Sequence, residues 1–335
     1  ENSGNTWTTP EQIDDGTVGG RYGLTIASDG DNLVAAWVDT WNYDIYTVAS
    51  NDNGDSWTSP QLIESPSSGL NYMPEIIFND GLFHLVWTST TSGESVQYTS
   101  SEDGVDWVET IYINTGTSRT SYSPVISSDG SKLYVAWTDN GAYDGDSTID
   151  YDIVGAISKD NGVTWEEDML MIDTESSTTL LLPSIASGSG FTYLSYQDFV
   201  MGAYEHYFAF TQDDGASWSD SYWITDHDNA GHSAKYHRMD MLVSDKTYFA
   251  FTSETDVSGE GRIDENVYVR KTLSEDYPED PYVKITGSKN WEWAGELNRD
   301  NSPQTWEDTI ESPGASKSFK DALNEALQEK LGNED

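Results

Sequence analysis

Tyrosines beside cations and amides are the residues of this sequence best suited to handling a ligand. They stand in Arg21-Tyr22, Asn71-Tyr72, Ser121-Tyr122 and Lys235-Tyr236-His237-Arg238, with Arg119 just ahead of the third group. Arginine grips carboxylates and sulfates through two parallel hydrogen bonds, and a tyrosine face stacks on a sugar ring. Arg21, Tyr22, Tyr72, Arg119, Tyr122, Lys235, His237 and Arg238, gathered in one place, would therefore bind an acidic glycan. Four of the 16 basic residues, Arg21, Arg119, Lys235 and Arg238, would then serve one site.

Two further groups have metal-binding side chains. His227, His232 and His237 lie within eleven residues, close to Asp226 and Asp228, but their spacing matches no zinc motif. Asp139, Asp144, Asp146, Asp150 and Asp152 could gather around calcium, although they miss the EF-hand spacing. Asp144, Asp146 and Asp150 are the calcium candidates of that group, and neither reading makes a cofactor a requirement.

The elements that must position these residues show in a repeated octet. Ser50-Asn51-Asp52-Asn53-Gly54-Asp55-Ser56-Trp57 returns as Ser100–Trp107, Ser158–Trp165 and Thr211–Trp218. Its skeleton is Ser/Thr-x-Asp-x-Gly-x-x-Trp, with Glu102 at the Asp position of the second copy. Asp and Gly suit a tight turn, and the Trp can fold back to bury its ring. Asp52, Gly54, Trp57, Gly104, Trp107, Asp160, Gly162, Trp165, Asp213, Gly215 and Trp218 are thus structural. Trp37, Trp87 and Trp137 stand fifty residues apart, and so do Trp57 and Trp107. Such a period, with four short strands in each repeat, is the sequence signature of a propeller. Inner strands are expected near Tyr22–Ser28, Tyr72–Phe78, Tyr122–Ser128, Leu181–Ser187 and Tyr236–Ser244. The second strands centre on Trp37, Trp87, Trp137, Tyr196 and Phe251.

The octet resembles the Asp-box, the bacterial neuraminidase repeat, which joins the third and fourth strands of β-propeller blades in the families that carry it. The resemblance covers nearly all of residues 1–286 and implies an all-β, sialidase-like propeller of four-stranded antiparallel blades. Five blades are expected, with six as the alternative. Thr8–Ile13 reads as a strand that closes the ring, while Tyr282–Ile285 competes as the outer strand of the last blade. Residues 287–335 form a polar extension, with an amphipathic helix near 316–331 marked by Phe319, Leu323, Leu327 and Leu331. That helix docks on the propeller's side or on a partner.

Sialidases carry an Arg at the head of the first inner strand, and Gly20-Arg21-Tyr22-Gly23 matches that motif only in its Arg. The resemblance implies Asp39 or Asp44 as acid/base and Tyr236 as nucleophile. The Glu partner expected beside the nucleophile is missing at Leu180–Pro183, and further carboxylate-binding arginines have only Arg119 and Arg238 as candidates. The expectation is therefore a non-catalytic propeller that binds glycan or protein, or builds a surface assembly. The enzyme alternatives are a sialidase-like hydrolase and a polysaccharide lyase acting on acidic sugars.

Charge narrows the setting. Asp and Glu number 59 against 16 Lys and Arg, for a net charge of −43. Such a surface repels nucleic acid and anionic membranes, and it repels itself unless salt or cations screen it. A saline setting follows. No apolar run approaches a membrane span, and the 335 residues contain no Cys. A start at Glu1 in mid-repeat reads as a processed form, which together with the family resemblance gives an extracellular or cell-surface location.

Overall fold

Twenty β-strands and no helix form among the described residues of the computed structural model. It describes residues 8–14, 16, 20–66, 69–91, 93–114, 120–141, 151–176, 181–188, 190–200, 203–224, 240–243, 247–255, 264–272 and 291–296. The strands make five four-stranded antiparallel sheets, each running in chain order from first strand to fourth. The first sheet is β1 (Arg21–Ser28), β2 (Leu33–Asp39), β3 (Ile45–Ser50) and β4 (Gln61–Glu64). The second is β5 (Asn71–Asn79), β6 (Leu82–Ser89), β7 (Ser95–Ser101) and β8 (Ile111–Tyr112). The third is β9 (Ser121–Asp129), β10 (Lys132–Asp139), β11 (Tyr151–Ser158) and β12 (Glu166–Ser176). The fourth is β13 (Ser184–Gly188), β14 (Phe191–Val200), β15 (Ala203–Thr211) and β16 (Tyr222–Trp223). The fifth is β17 (Asp240–Val243), β18 (Thr247–Thr255), β19 (Asp264–Thr272) and β20 (Trp291–Glu296).

The second strands are apolar almost throughout because both of their faces are covered. Along β2, Val34, Ala36 and Val38 pack with Ile45, Ile76, Phe83, Leu85 and Trp87. The alternate residues Ala35 and Trp37 pack with Val48, Ile13, Tyr46 and Trp57 on the opposite face. The period of two that defines a strand thus feeds two cores at once. The chain divides into two compact units. One takes in residues up to Pro124 with Asp160–Thr164, and the other takes in Val125–Lys159 and everything from Trp165. In the second unit, Tyr134 and Ala136 of β10 pack with Ile153, Ile157, Leu194, Tyr196 and Tyr207.

Each octet is held by its own hydrogen bonds. Ser50 Oγ donates to Asp52 Oδ1 at 2.8 Å and accepts from the Gly54 N–H, while Asp52 Oδ1 accepts the Ser56 N–H at 2.8 Å. Thr211, Asp213, Gly215 and Ser217 repeat this pattern. The residue before the glycine is left-handed, with φ of 60° at Asn53, 56° at Asn161 and 59° at Asp214. The second copy corrects the sequence alignment. Its serine is Ser101, and Asp103, one residue past Glu102, accepts the Ser101 hydroxyl and the N–H groups of Val105 and Asp106. Counted from that serine, this turn is one residue shorter and has no left-handed residue before Gly104.

Two strand expectations are also corrected. Thr8–Ile13 forms no strand, and β20 is the fourth strand of the fifth sheet, paired to β19 through Arg270 and Trp293. Asn2–Trp7, Tyr282–Ile285 and the helix expected near 316–331 lie outside the described residues.

Candidate functional site

In the first three sheets the head of the first strand carries a tyrosine read from the sequence, and the backbone turns left-handed just after it. Pairing of β1 with β2 slips between Tyr22 and Thr25, and pairing of β5 with β6 slips between Tyr72 and Glu75. The residue after each tyrosine is left-handed, with φ of 62° at Gly23, 55° at Met73 and 54° at Ser123. Pro74 and Pro124 follow the last two. In the second unit Leu182, before Pro183, is also left-handed at 41°. Methionine and leucine seldom adopt this conformation, and a bulge of this kind re-aims the side chain beside it. At Gly23 the neighbouring Pro74 is so close that an added Cβ would lie 2.8 Å from its Cδ.

The bends bring Tyr22, Tyr72 and Tyr122 into one neighbourhood. Tyr22 donates to the carbonyl of Asn71 at 2.9 Å, which ties the first sheet to the head of the second. Tyr72 donates to Glu94 Oε1 at 3.1 Å. Burial raises the Tyr72 phenol well above its ordinary range, and the Glu94 carboxylate, Tyr122 and Tyr22 add to the effect. The Tyr22 phenol is pushed up to about 12, by burial first and then by Tyr43. All three hydroxyls belong to half-buried side chains. Tyr22 and Tyr72 stay protonated across the physiological range and act as hydrogen-bond donors.

The loop after β2 completes the cluster. Thr40 and Gly20 exchange backbone and hydroxyl hydrogen bonds at 3.1 and 2.8 Å, and Thr90 and Leu70 do the same in the second sheet at 2.9 and 2.7 Å. These clips fasten the loop after the second strand to the head of the first. Tyr43 meets Tyr22 edge-on, with ring centroids 6.4 Å apart. Trp41, on the same loop, is 67% exposed, although indole rings are usually covered. The sequence reading missed Trp41 because it lies in the variable loop between the second and third strands of its repeat; its only signal was a tryptophan in a loop with no octet around it.

Arg21 is already engaged. Its Nη1 donates to Asp39 Oδ2 at 3.3 Å and its Nε lies 3.2 Å from Asp14 Oδ2. Asp39 Oδ1 accepts the N–H groups of Trp41 and Asn42 at 2.6 and 3.2 Å, so this carboxylate holds both the arginine and the loop. Asp44 is buried, with Oδ2 3.4 Å from the Tyr46 hydroxyl and no hydrogen bond to Oδ1. Asn71 is fully buried, with neither polar atom of its side chain bonded.

Arg119, Lys235, Tyr236, His237 and Arg238 lie outside the described residues, as do Asp144, Asp146 and Asp150. Among the described residues no three His, Asp or Glu side chains are grouped as metal ligands, and no helix is long and apolar enough to cross a membrane.

No family model matches the chain, and no curated protein matches it by sequence. Solved structures do. The phage phi92 endosialidase superposes with a TM-score of 0.53 at 10% identity, over 81% of this chain and 56% of that one. The Hadza microbial sialidase Hz136 gives 0.50 at 17% identity, over 83% and 58%. The Coprinopsis cinerea GH62 α-L-arabinofuranosidase gives 0.46 at 10% identity, over 72% and 86%. This chain spans less than six tenths of the two sialidases. At these identities the likeness concerns the fold alone: four-stranded antiparallel sheets in an all-β chain, consistent with a β-propeller.

Proposed function

We propose that this chain is a five-bladed Asp-box propeller, extracellular or on a cell surface, which binds saccharide at the tyrosine cluster without turning it over. The observation that carries this reading is the left-handed bend repeated after Tyr22, Tyr72 and Tyr122, strained at Met73 and Ser123 although relaxed at Gly23, which brings three phenols into one neighbourhood. Backbone strain of that kind costs about 1–3 kcal/mol per residue, and it persists where a site requires it. Aromatic faces, with the phenol oxygens of Tyr22 and Tyr72 and the Glu94 carboxylate as acceptors, suit the apolar faces and hydroxyl groups of a pyranose.

The ligand best suited to the described part of the cluster is a neutral saccharide. Arg21 is its one cation among the described residues, and Asp39 and Asp14 already neutralise it. Glu94 and the buried Asp44 add negative charge, which disfavours a carboxylated sugar there. The acidic glycan inferred from the sequence would draw on Arg119, Lys235 and Arg238.

Titration calorimetry against neutral and sialylated oligosaccharides tests the proposal. Binding of a neutral oligosaccharide that weakens about tenfold in Trp41→Ala and in Tyr22→Ala supports it. Binding confined to sialylated ligands and insensitive to both substitutions refutes it.

A catalytic reading draws on the Tyr72–Glu94 hydrogen bond, since a carboxylate 3.1 Å from a phenol can take its proton as the phenol oxygen bonds to the anomeric carbon of an aryl glycoside and the bond from that carbon to the aryl oxygen breaks, releasing phenolate. The raised phenol pKa opposes attack from a resting tyrosinate, so Glu94 would have to act as base during the step. Release of fluorophore from aryl glycosides, lost in Tyr72→Phe, would establish hydrolysis in place of simple binding.

A further inference from the structure

At the other end of the second sheet, away from the tyrosines, lies a groove of about 620 Å³. Its floor includes Tyr98, Ser100 and Leu82, and its sides come from the turn after β7 and from Asn161–Val163. Its walls are apolar and open to solvent: Val163 is 77% exposed, Val108 57% and Ile111 40%. The repeats supply an internal control, because the first octet has Asp55 where the third has Val163, and Thr58 where the second has Val108. The turn itself therefore needs no valine at either place. Exposed aliphatic side chains grouped around a concavity mark a surface that meets a partner.

The rim fixes the partner's charge. Glu102, Asp103, Asp106 and Glu109 line the groove and no Lys or Arg does. Asp103 is committed to its own turn, whereas Glu102, Asp106 and Glu109 are exposed carboxylates with no cation beside them among the described residues. Below the groove, the Tyr98 hydroxyl meets His84 Nδ1 at 2.8 Å, and Asn161 is bound to Asn79 and Asp80, so the floor is rigid. Ile111–Tyr112 is the outermost strand of its sheet, and its far edge has no strand paired to it among the described residues.

We propose that this groove is a docking site for an extended segment of a partner protein in which lysine or arginine alternates with aliphatic residues. Alternation is what a sheet edge selects: aliphatic side chains enter between Val108, Ile111 and Val163, and the intervening cations reach Glu102, Asp106 and Glu109. Charge alone would direct a cationic peptide to any part of a chain with net charge −43, so the apolar walls carry the specificity.

The test is titration calorimetry at 0.15 M salt with acetyl-Val-Lys-Val-Lys-Val-amide, alongside the same pentapeptide with Ser for Val and with Glu for Lys. The Val-Lys peptide is expected to bind at least about tenfold more tightly than either relative. Val108→Ser with Val163→Ser should weaken it about tenfold, as should Glu102→Gln with Glu109→Gln, while the control pair Asp31→Asn with Asp55→Asn, neither of which lines the groove, should not. Amide shifts on binding should fall in residues 98–112 and 161–163. Absence of binding, equal binding of the Ser-Lys peptide, or equal weakening by the control pair would each overturn the proposal.

Discussion

Asn79 donates from Nδ2 to Oδ1 of Asn161 at 2.9 Å, across 82 residues of sequence. Asn161 also donates to the carbonyl of Asp80 at 3.2 Å. The left-handed residue of the third octet is thus a clip onto the β5–β6 hairpin. In the second unit, Asp214 holds the same place in the fourth octet and accepts from Lys132 Nζ at 2.5 Å and the Tyr134 hydroxyl at 3.4 Å. The shortened second octet lacks this residue and makes contact through Gly104 instead, whose Cα lies against Val34 and Ala49.

Asn161→Gly should therefore cost about 1–2 kcal/mol, since it removes both hydrogen bonds but keeps the backbone. Asn161→Ala should cost roughly 1 kcal/mol more, because alanine at φ 56° is strained. Denaturant midpoints measure both, and a double-mutant cycle with Asn79→Ala should return a coupling of about 1 kcal/mol. Equal midpoints for the glycine and alanine variants would contradict the backbone argument.

His84 is fully buried behind that clip, between Tyr98 and the carbonyl of Asn79. Burial lowers its pKa from 6.5 to about 4. The neutral ring is thus the folded form, and its contribution is fully present above pH 6.5. It shrinks as the pH falls, because the unfolded chain takes up a proton first, and below about 4 it has gone. The loss across that window should be roughly 3 kcal/mol. Unfolding free energies at pH 7, 5 and 4 for the native chain and His84→Gln should converge as the pH drops. Parallel curves would remove His84 from the acid response.

Asp103 and Glu102 test the corrected octet. The N–H groups of Asp106 and Val105 hold the Asp103 carboxyl below the usual range. Asp103→Ala should lower stability by about 1 kcal/mol, and Glu102→Ala should leave it within a few tenths. The reverse order of melting temperatures would restore the alignment drawn from the sequence. Gly104→Ala should be worse than either, since its Cβ would strike Val34 at φ 73°.

The sequence made the sheets legible because its signals were local and repeated. Trp37, Trp87 and Trp137 mark central strands buried on both faces, and the octets mark the turns. What it hid depends on contacts between repeats. A one-residue deletion looks like a Glu102 substitution until hydrogen bonds show which carboxylate holds the turn. The Tyr-x-Pro bends were visible as Tyr72-Met73-Pro74 and Tyr122-Ser123-Pro124, yet a left-handed Met73 follows from no propensity. Pairing of Arg21 to Asp14 and Asp39 was out of reach for the same reason: charge counting shows how few cations there are and not which carboxylates hold them.

That pairing yields the last prediction. If Arg21 fastens the Trp41 loop and does not touch ligand, Arg21→Gln removes the cation from between two carboxylates, of which Asp39 is only 8% exposed. The cost should be about 1–3 kcal/mol, less than for a fully buried pair because the arginine side chain keeps 20% of its exposure. Affinity for a neutral oligosaccharide, measured well below the melting temperature, should change by no more than about threefold, because the cation makes no contact with an uncharged ring. Asp39→Asn should match this loss of stability, since its amide cannot balance the guanidinium. A tenfold loss of affinity in Arg21→Gln at unchanged melting temperature would instead assign the guanidinium to the ligand, and with it an anionic sugar.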